Sequence, residues 1–175
     1  SAPQNTVEEP PLFGPELRDL PVNEDCQNLS ITIPGDIREG EKLPVIVWIH
    51  GGSYVVGAGD SSFTDPARWV AERRVIVVTV TYRLGVLGFL GSSLGPANLG
   101  LLDQAEALRW VRRNISSFGG DAARVTALGE SAGADAILHH AAAMGHVILS
   151  GRDEELLFDR AIALSPPPVS YTHLR

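Results

Sequence analysis

The chain has 175 residues, enough for one domain, and at 44% hydrophobic and 20% charged it can bury a core, which excludes whole-chain disorder. A net charge of −7 disfavours nucleic acid and anionic membranes as principal partners, since either would be repelled at ordinary salt. No apolar run approaches the ~20 residues of a membrane-spanning helix, and the single Cys26 excludes an internal disulfide and a four-cysteine metal site.

Residues 1–23 hold Pro3, Pro10, Pro11, Pro15 and Pro21 with little periodicity and read as an extended lead-in without the build of a signal peptide. NLSITIP (28–34) is a predicted strand, and GDIREGEK a charged turn bounded by glycine. PVIVWIHGG is apolar without alternation, the pattern of a strand buried on both faces. Asp65-Pro66 opens a short helix through WVAERR, which hands over to a second apolar strand, RVIVVTVTY. In LLDQAEALRWVRRNI (101–115), Leu101, Ala105, Leu108, Val111 and Ile115 share one side at helical spacing. RVTAL is the next strand, GESAG a tight turn, ADAILHHAAAM a helix, and FDRAIALS a last strand. Alternating strand and helix patterns with doubly buried strands predict an α/β fold, a mostly parallel sheet between helices.

GESAG (129–133) matches the Gly-x-Ser-x-Gly nucleophile elbow, a pattern with a chance expectation of about 0.1 per chain at ordinary composition. An apolar strand before it and a small-residue helix after it are the setting an elbow requires. Gly129 and Gly133 would let strand and helix approach, and the helix N-terminus would favour negative charge near Ser131. Ser131 as an ordinary helix cap predicts the same local structure, so the pentapeptide alone leaves nucleophile and cap open. HGGSY (50–54) decides between them: directly after a buried strand, Gly51 and Gly52 can expose backbone amides, as an oxyanion loop does.

The stretches EDCQNLSI, PVIVWIHGGSYVVGAG, VIVVTVTYRLGVLGFL, NLGLLDQAEALRWVRRNISSFGGDAARVTALGESAGA and LFDRAIALS, in this order, resemble the type-B carboxylesterase family of α/β-hydrolases over residues 24–165. The resemblance implies a serine carboxylic-ester hydrolase acting on small-molecule or lipid esters without a cofactor. Ser131 would form the acyl-enzyme, and the amides of Gly52, Ser53 and Ala132 would hold the oxyanion. His50 and Gly51 would frame the loop, a buried, hydrogen-bonded Glu130 would support the elbow, and Arg83 would pair with Asp103 in a structural ion pair. Two departures stand out: Ser53 replaces a usual glycine, and the family carries its triad acid and histidine far downstream of GESAG, so the resemblance implies a longer parent and an inactive fragment.

His139 and His140 lie on Ser131's own helix, eight and nine residues on, about 12 Å along its axis, and cannot act as its base. His146 and His173 sit outside any motif, and Trp48, Trp69 and Trp110 read as packing residues. The competing functional class is a binding or adhesion module on the same fold, whose members often lack the serine; a different α/β-hydrolase would not carry EDC and FGGD in these positions. Residues 24–168 read as the N-terminal part of the hydrolase domain, and VSYTHLR (169–175) as a non-native tail. Asn28-Leu29-Ser30 and Asn114-Ile115-Ser116 fit the glycan acceptor pattern and point to secretion, with Asn114 the expected carrier.

Overall fold

The computed structural model describes residues 1–4, 21–91, 95–151 and 156–167. The tail 169–175 and most of the lead-in therefore lie outside the described residues. Five strands form one mixed sheet: β1 (Asn28–Thr32), β2 (Leu43–Ile49), β3 (Ile76–Thr81), β4 (Gly120–Glu130) and β5 (Arg160–Leu164). Their order is β1-β3-β2-β4-β5, with β1 antiparallel to β3 and every other pairing parallel. Helices α1 (Ala67–Arg73), α2 (Gly85–Phe89), α3 (Leu99–Asn114) and α4 (Ala132–Leu149) fill the connections.

The β2–β3 register pairs Val47 with Val78 and Ile49 with Val80, and β2–β4 pairs Val45 with Val125 and Val47 with Ala127. The alternate residues Val45, Val47, Ile49, Ile76, Val78, Val80, Val125 and Ala127 thus share one face. That face forms the core with Leu108, Val111 and Ile115 after α3's apolar stripe, and with Ala136 and Ile137 of α4. On the opposite face, Trp69 of α1 borders a cleft with Ile46, Trp48, Val77 and Leu128.

Double burial holds for β3, buried along its whole length, but not for its neighbours. Strand β2 alternates buried and half-buried residues, and β5 is largely exposed. A continuous apolar run records hydrophobic capacity; burial is decided by what lies over each face, and the Trp48 side is neighboured by the short helix α1, a 3-10 turn at Ser62–Thr64 and the loop residues Gly57, Ala58 and Ser61.

Three further differences bear on the site. Strand β4 starts at Gly120, five residues before Val125, with a register shift opposite Leu43–Val45, and it ends only at Glu130, so the predicted GESAG turn contracts to Ser131 alone. The five-residue helix α2 is too short to show helical periodicity in the sequence. The lead-in also contributes to the fold: Ala2 is fully buried, and the Gln4 side-chain amide closes a two-bond ring with Gly57, accepting from its N–H at 2.7 Å and donating to its carbonyl at 3.2 Å.

Asp159, just before β5, fastens that strand to β4. Its carboxylate accepts the Val125 N–H at 2.8 Å, its own N–H donates to the Val125 carbonyl at 2.8 Å, and Arg112 of α3 pairs with it at 2.9 Å. Parallel pairing places the C-terminal ends of β2 and β4 side by side, with Ile49 opposite Gly129, and so brings the segments that follow them together.

Candidate active site

Ser131 is the single residue between β4 and α4, with φ 53° and ψ −121°, outside the favoured basins of a residue with a Cβ. Such a conformation costs about 1–3 kcal/mol and persists only where the surroundings enforce it. Here the Ser131 N–H donates to the Leu164 carbonyl of β5 at 2.9 Å, and its carbonyl accepts the Asp135 N–H of α4 at 3.0 Å. The flanking glycines make the junction possible. A Cβ on Gly129 would lie 2.5 Å from the carbonyl carbon of Gly133, and one on Gly133 would lie 2.9 Å from the His50 carbonyl oxygen. The Asp135–Ser131 bond is the first of α4, so the N–H groups of Ala132, Gly133 and Ala134 precede the intrahelical ladder and present the positive end of an 18-residue helix beside the serine.

The loop after β2 lies against this junction. A Cβ on Gly51 would stand 3.1 Å from the Ser131 Cβ and 2.8 Å from the Glu130 carbonyl oxygen, so loop and elbow are in direct backbone contact. Gly52 takes φ 106°, which only glycine adopts readily, and its carbonyl accepts the N–H groups of Val55 at 3.0 Å and Val56 at 3.1 Å. Ser53 and Tyr54 both have left-handed φ, 54° and 62°, which turns the chain sharply right after the two glycines. The site residues expected from GESAG and HGGSY are therefore brought together across 80 residues of sequence.

His50 is buried and stacked on Tyr82, with ring centroids 4.4 Å apart at 18°. Its Nδ1 lies 2.8 Å from the Gly51 carbonyl, so the proton belongs on Nδ1, and burial holds the imidazole neutral with a pKa lowered to about 4, only partly opposed by that hydrogen bond. The Tyr82 hydroxyl donates to the His50 carbonyl at 2.8 Å, and burial pushes this phenol well above its usual range. His50 thus braces the loop from beneath, with its Nε2 without a hydrogen-bond partner among the described residues.

Glu130 departs from the expectation of a buried, hydrogen-bonded support. It is half-buried, and its carboxylate lies against Gly51 with no hydrogen bond to it among those of the described residues. The reason is its position: as the last residue of β4 it projects to the Trp48 side, where it borders a cleft with Trp48, His50, Gly51 and Phe63.

Arg83 and Asp103 form a two-point ion pair with Nε to Oδ2 at 2.7 Å and Nη2 to Oδ1 at 2.5 Å, and Asp103 also accepts the Arg83 N–H at 3.1 Å. This anchors the chain after β3 to α3, and two residues on the Gly85 N–H donates to the Tyr54 carbonyl at 2.7 Å. Of the helix histidines, His140 is buried with Nε2 3.0 Å from the Gln104 amide oxygen, while half-exposed His139 lies 3.5 Å from the Asp135 carboxylate. Of the two glycan triplets, Asn28 is exposed, whereas Asn114 is half-buried and its amide donates to the Trp110 carbonyl at 2.8 Å.

Sequence reasoning passed over Tyr54 and Asp135. The Tyr54 hydroxyl donates to the Asp135 carboxylate at 2.8 Å, and burial, with the carboxylate beside it, raises the phenol far above its usual range. The usable signal was the spacing: Asp135 is four residues after Ser131, one turn along the helix, in an otherwise apolar first turn.

Comparison with known proteins places the chain in a family. The chain is 52% identical over 115 residues to the para-nitrobenzyl esterase of Bacillus subtilis (strain 168), covering 63% of this chain and 23% of that protein. It is 42% identical over 159 residues to an acylcarnitine hydrolase of Mus musculus, covering 89% of this chain and 27% of the relative. A solved thermophylic PNB esterase superposes with a TM-score of 0.76 at 41% identity, over 93% of this chain and 32% of that one. The chain thus spans roughly a quarter to a third of the length of these relatives. A family model described as the carboxylesterase family matches residues 2–173, nearly the whole sequence, so the chain belongs to the carboxylesterase family, on an α/β-hydrolase fold.

Proposed function

We propose that this chain carries the nucleophile and oxyanion loop of a serine carboxylic-ester hydrolase. The observation that carries the reading is the strained Ser131 with Gly51 of the glycine loop in van der Waals contact beside it. In the reaction, Ser131 Oγ attacks the ester carbonyl carbon while a base removes its proton. The carbonyl oxygen becomes an oxyanion that accepts hydrogen bonds from the amides of Gly52, Ser53 and Ala132. Collapse breaks the bond to the alcohol, which leaves with the proton, and water then hydrolyses the acyl-serine by the same steps in reverse order.

The base is none of the histidines described here. His139 and His140 lie about 12 Å or more along the helix from the serine, and His50 is buried beneath the loop, stacked on Tyr82, where it braces the Gly51 carbonyl. In the resemblance, acid and histidine follow the serine in the chain, and we assign the base to that downstream part of a full-length protein.

The test is Ser131→Ala in the full-length protein, assayed on a p-nitrophenyl ester. We expect a loss of kcat of about 10⁴-fold or more and no labelling by a fluorophosphonate. Activity within a few-fold of the unmodified protein would remove the nucleophile assignment.

A further inference from the structure

We propose that Tyr54 and Asp135 are a positioning pair whose hydrogen bond fixes the oxyanion loop against the nucleophile's helix and thereby sets the rate of acyl transfer; this rests on the ester-hydrolase reading above. Asp135 is tied to both halves of the site. Its N–H donates to the Ser131 carbonyl at 3.0 Å, and its carboxylate accepts the Tyr54 hydroxyl at 2.8 Å. Tyr54 directly follows Ser53, one of the proposed oxyanion donors, and both have left-handed φ without being glycine. Two adjacent residues in that conformation relax unless they are held. Tyr54 is held at both ends: by Asp135 at its hydroxyl, and by the Gly85 N–H at its carbonyl, 2.7 Å away. Among the described residues, this is the one side-chain hydrogen bond from the loop to α4.

Packing alone does not account for the pair. The Tyr54 ring sits 4.6 Å from that of Phe89, a contact phenylalanine would make equally well. The Asp135 side chain is only 5% exposed, in a turn otherwise built of Ala132, Gly133, Ala134 and Ala136. Burying a carboxylate there is unfavourable unless it is paired, and a small apolar residue would be at least as stable. What the pair adds is geometry. Oxyanion donors act only within about 2.7–3.1 Å of the oxygen that forms, so a shift of the loop by a few tenths of an ångström weakens them in the transition state more than in the bound ester. His139, half-exposed and 3.5 Å from the same carboxylate, closes its solvent side.

The experiment uses the full-length protein and a p-nitrophenyl ester, with active sites counted by the end point of fluorophosphonate labelling. Tyr54→Phe and Asp135→Ala should each lower kcat per labelled site by about tenfold to a hundredfold with KM within about twofold. The double variant Tyr54→Phe/Asp135→Ala should be no slower than the worse single variant. Asp135→Asn keeps an acceptor oxygen for the phenol and should return kcat to within about threefold of the unmodified protein. A merely structural role would lower the thermal midpoint and the number of labelled sites while kcat per site stays unchanged. That result, or Asp135→Asn as slow as Asp135→Ala, overturns the proposal. If Asp135→Ala does not fold, Tyr54→Phe, which removes one oxygen, decides on the same readouts. An unmodified protein without esterase activity, or a Ser131→Ala variant that retains it, overturns the hydrolase reading instead and this pairing with it.

Discussion

Gly51→Ala tests most directly whether loop and elbow are in catalytic register. The added Cβ would lie 2.8 Å from the Glu130 carbonyl oxygen, 2.7 Å from its Oε2 and 3.1 Å from the Ser131 Cβ. The carboxylate can swing aside, but the backbone oxygen belongs to a strand paired on both edges, at Ile49–Gly129 on one side and Glu130–Leu164 on the other. An ordinary carbon–oxygen contact is about 3.3 Å, so loop and elbow must separate by roughly half an ångström. If 1 Å of misplacement costs about a hundredfold, half of that predicts about a tenfold loss in kcat, bounded above by the 10²–10³ lost with a whole oxyanion donor. Because the displaced donors act mainly on the oxyanion of the transition state, KM should change little, while the overpacking of the folded protein should lower stability by about 1–3 kcal/mol. The assay is steady-state hydrolysis of a p-nitrophenyl ester by the full-length protein, normalised to labelled sites. Gly145→Ala in α4, where a Cβ meets nothing within 4 Å, is the control and should be neutral or slightly stabilising. A Gly51→Ala protein with kcat per site within twofold of the unmodified one would refute the reasoning.

Arg83→Ala should lower stability by about 2–3 kcal/mol while leaving kcat per site within a few-fold, below the full cost of breaking a buried pair because the Arg83 side chain is 28% exposed and Asp103 keeps the Arg83 N–H; chemical denaturation and kinetics on the same preparation separate the two effects. Burial lowers the pKa of His50 and His140 to about 4, so between that value and the unfolded pKa of about 6.5 the unfolded chain binds more protons. Stability should therefore be complete above about pH 6.5 and fall by a few kcal/mol as pH drops towards 4, and His140→Gln should flatten the slope; a midpoint that rises on acidification would contradict this. The 175-residue chain by itself should show negligible hydrolysis of an activated short-chain ester and no fluorophosphonate labelling, since the histidines of α4 lie about 12 Å or more along the helix from Ser131 and His50 is buried beneath the loop. Serine-dependent multiple turnovers from purified chain would show that a base lies within it.

What the sequence determined by itself was local. Apolar runs such as VIVWI and VIVVTV, broken by glycine and helical spacing, specified strands, crossover helices and hence a mostly parallel sheet, because strand and helix periods and turn residues act over a few positions. The same locality made GESAG and HGGSY legible, since an elbow and an oxyanion loop are each built from consecutive residues. Tertiary structure decided what those segments meet. That Gly51 touches Glu130 and Ser131, that Tyr54 reaches Asp135 across 81 residues, and that Gln4 closes on Gly57 follow from sheet order and parallel register, which no local pattern encodes. The misjudged burial has the same origin. The side chains on the two faces of β2 are similarly apolar, yet one face is covered by α3 and α4 while the Trp48 side stays half-buried and leaves Glu130 on a cleft, because exposure belongs to the covering element and not to the residue covered.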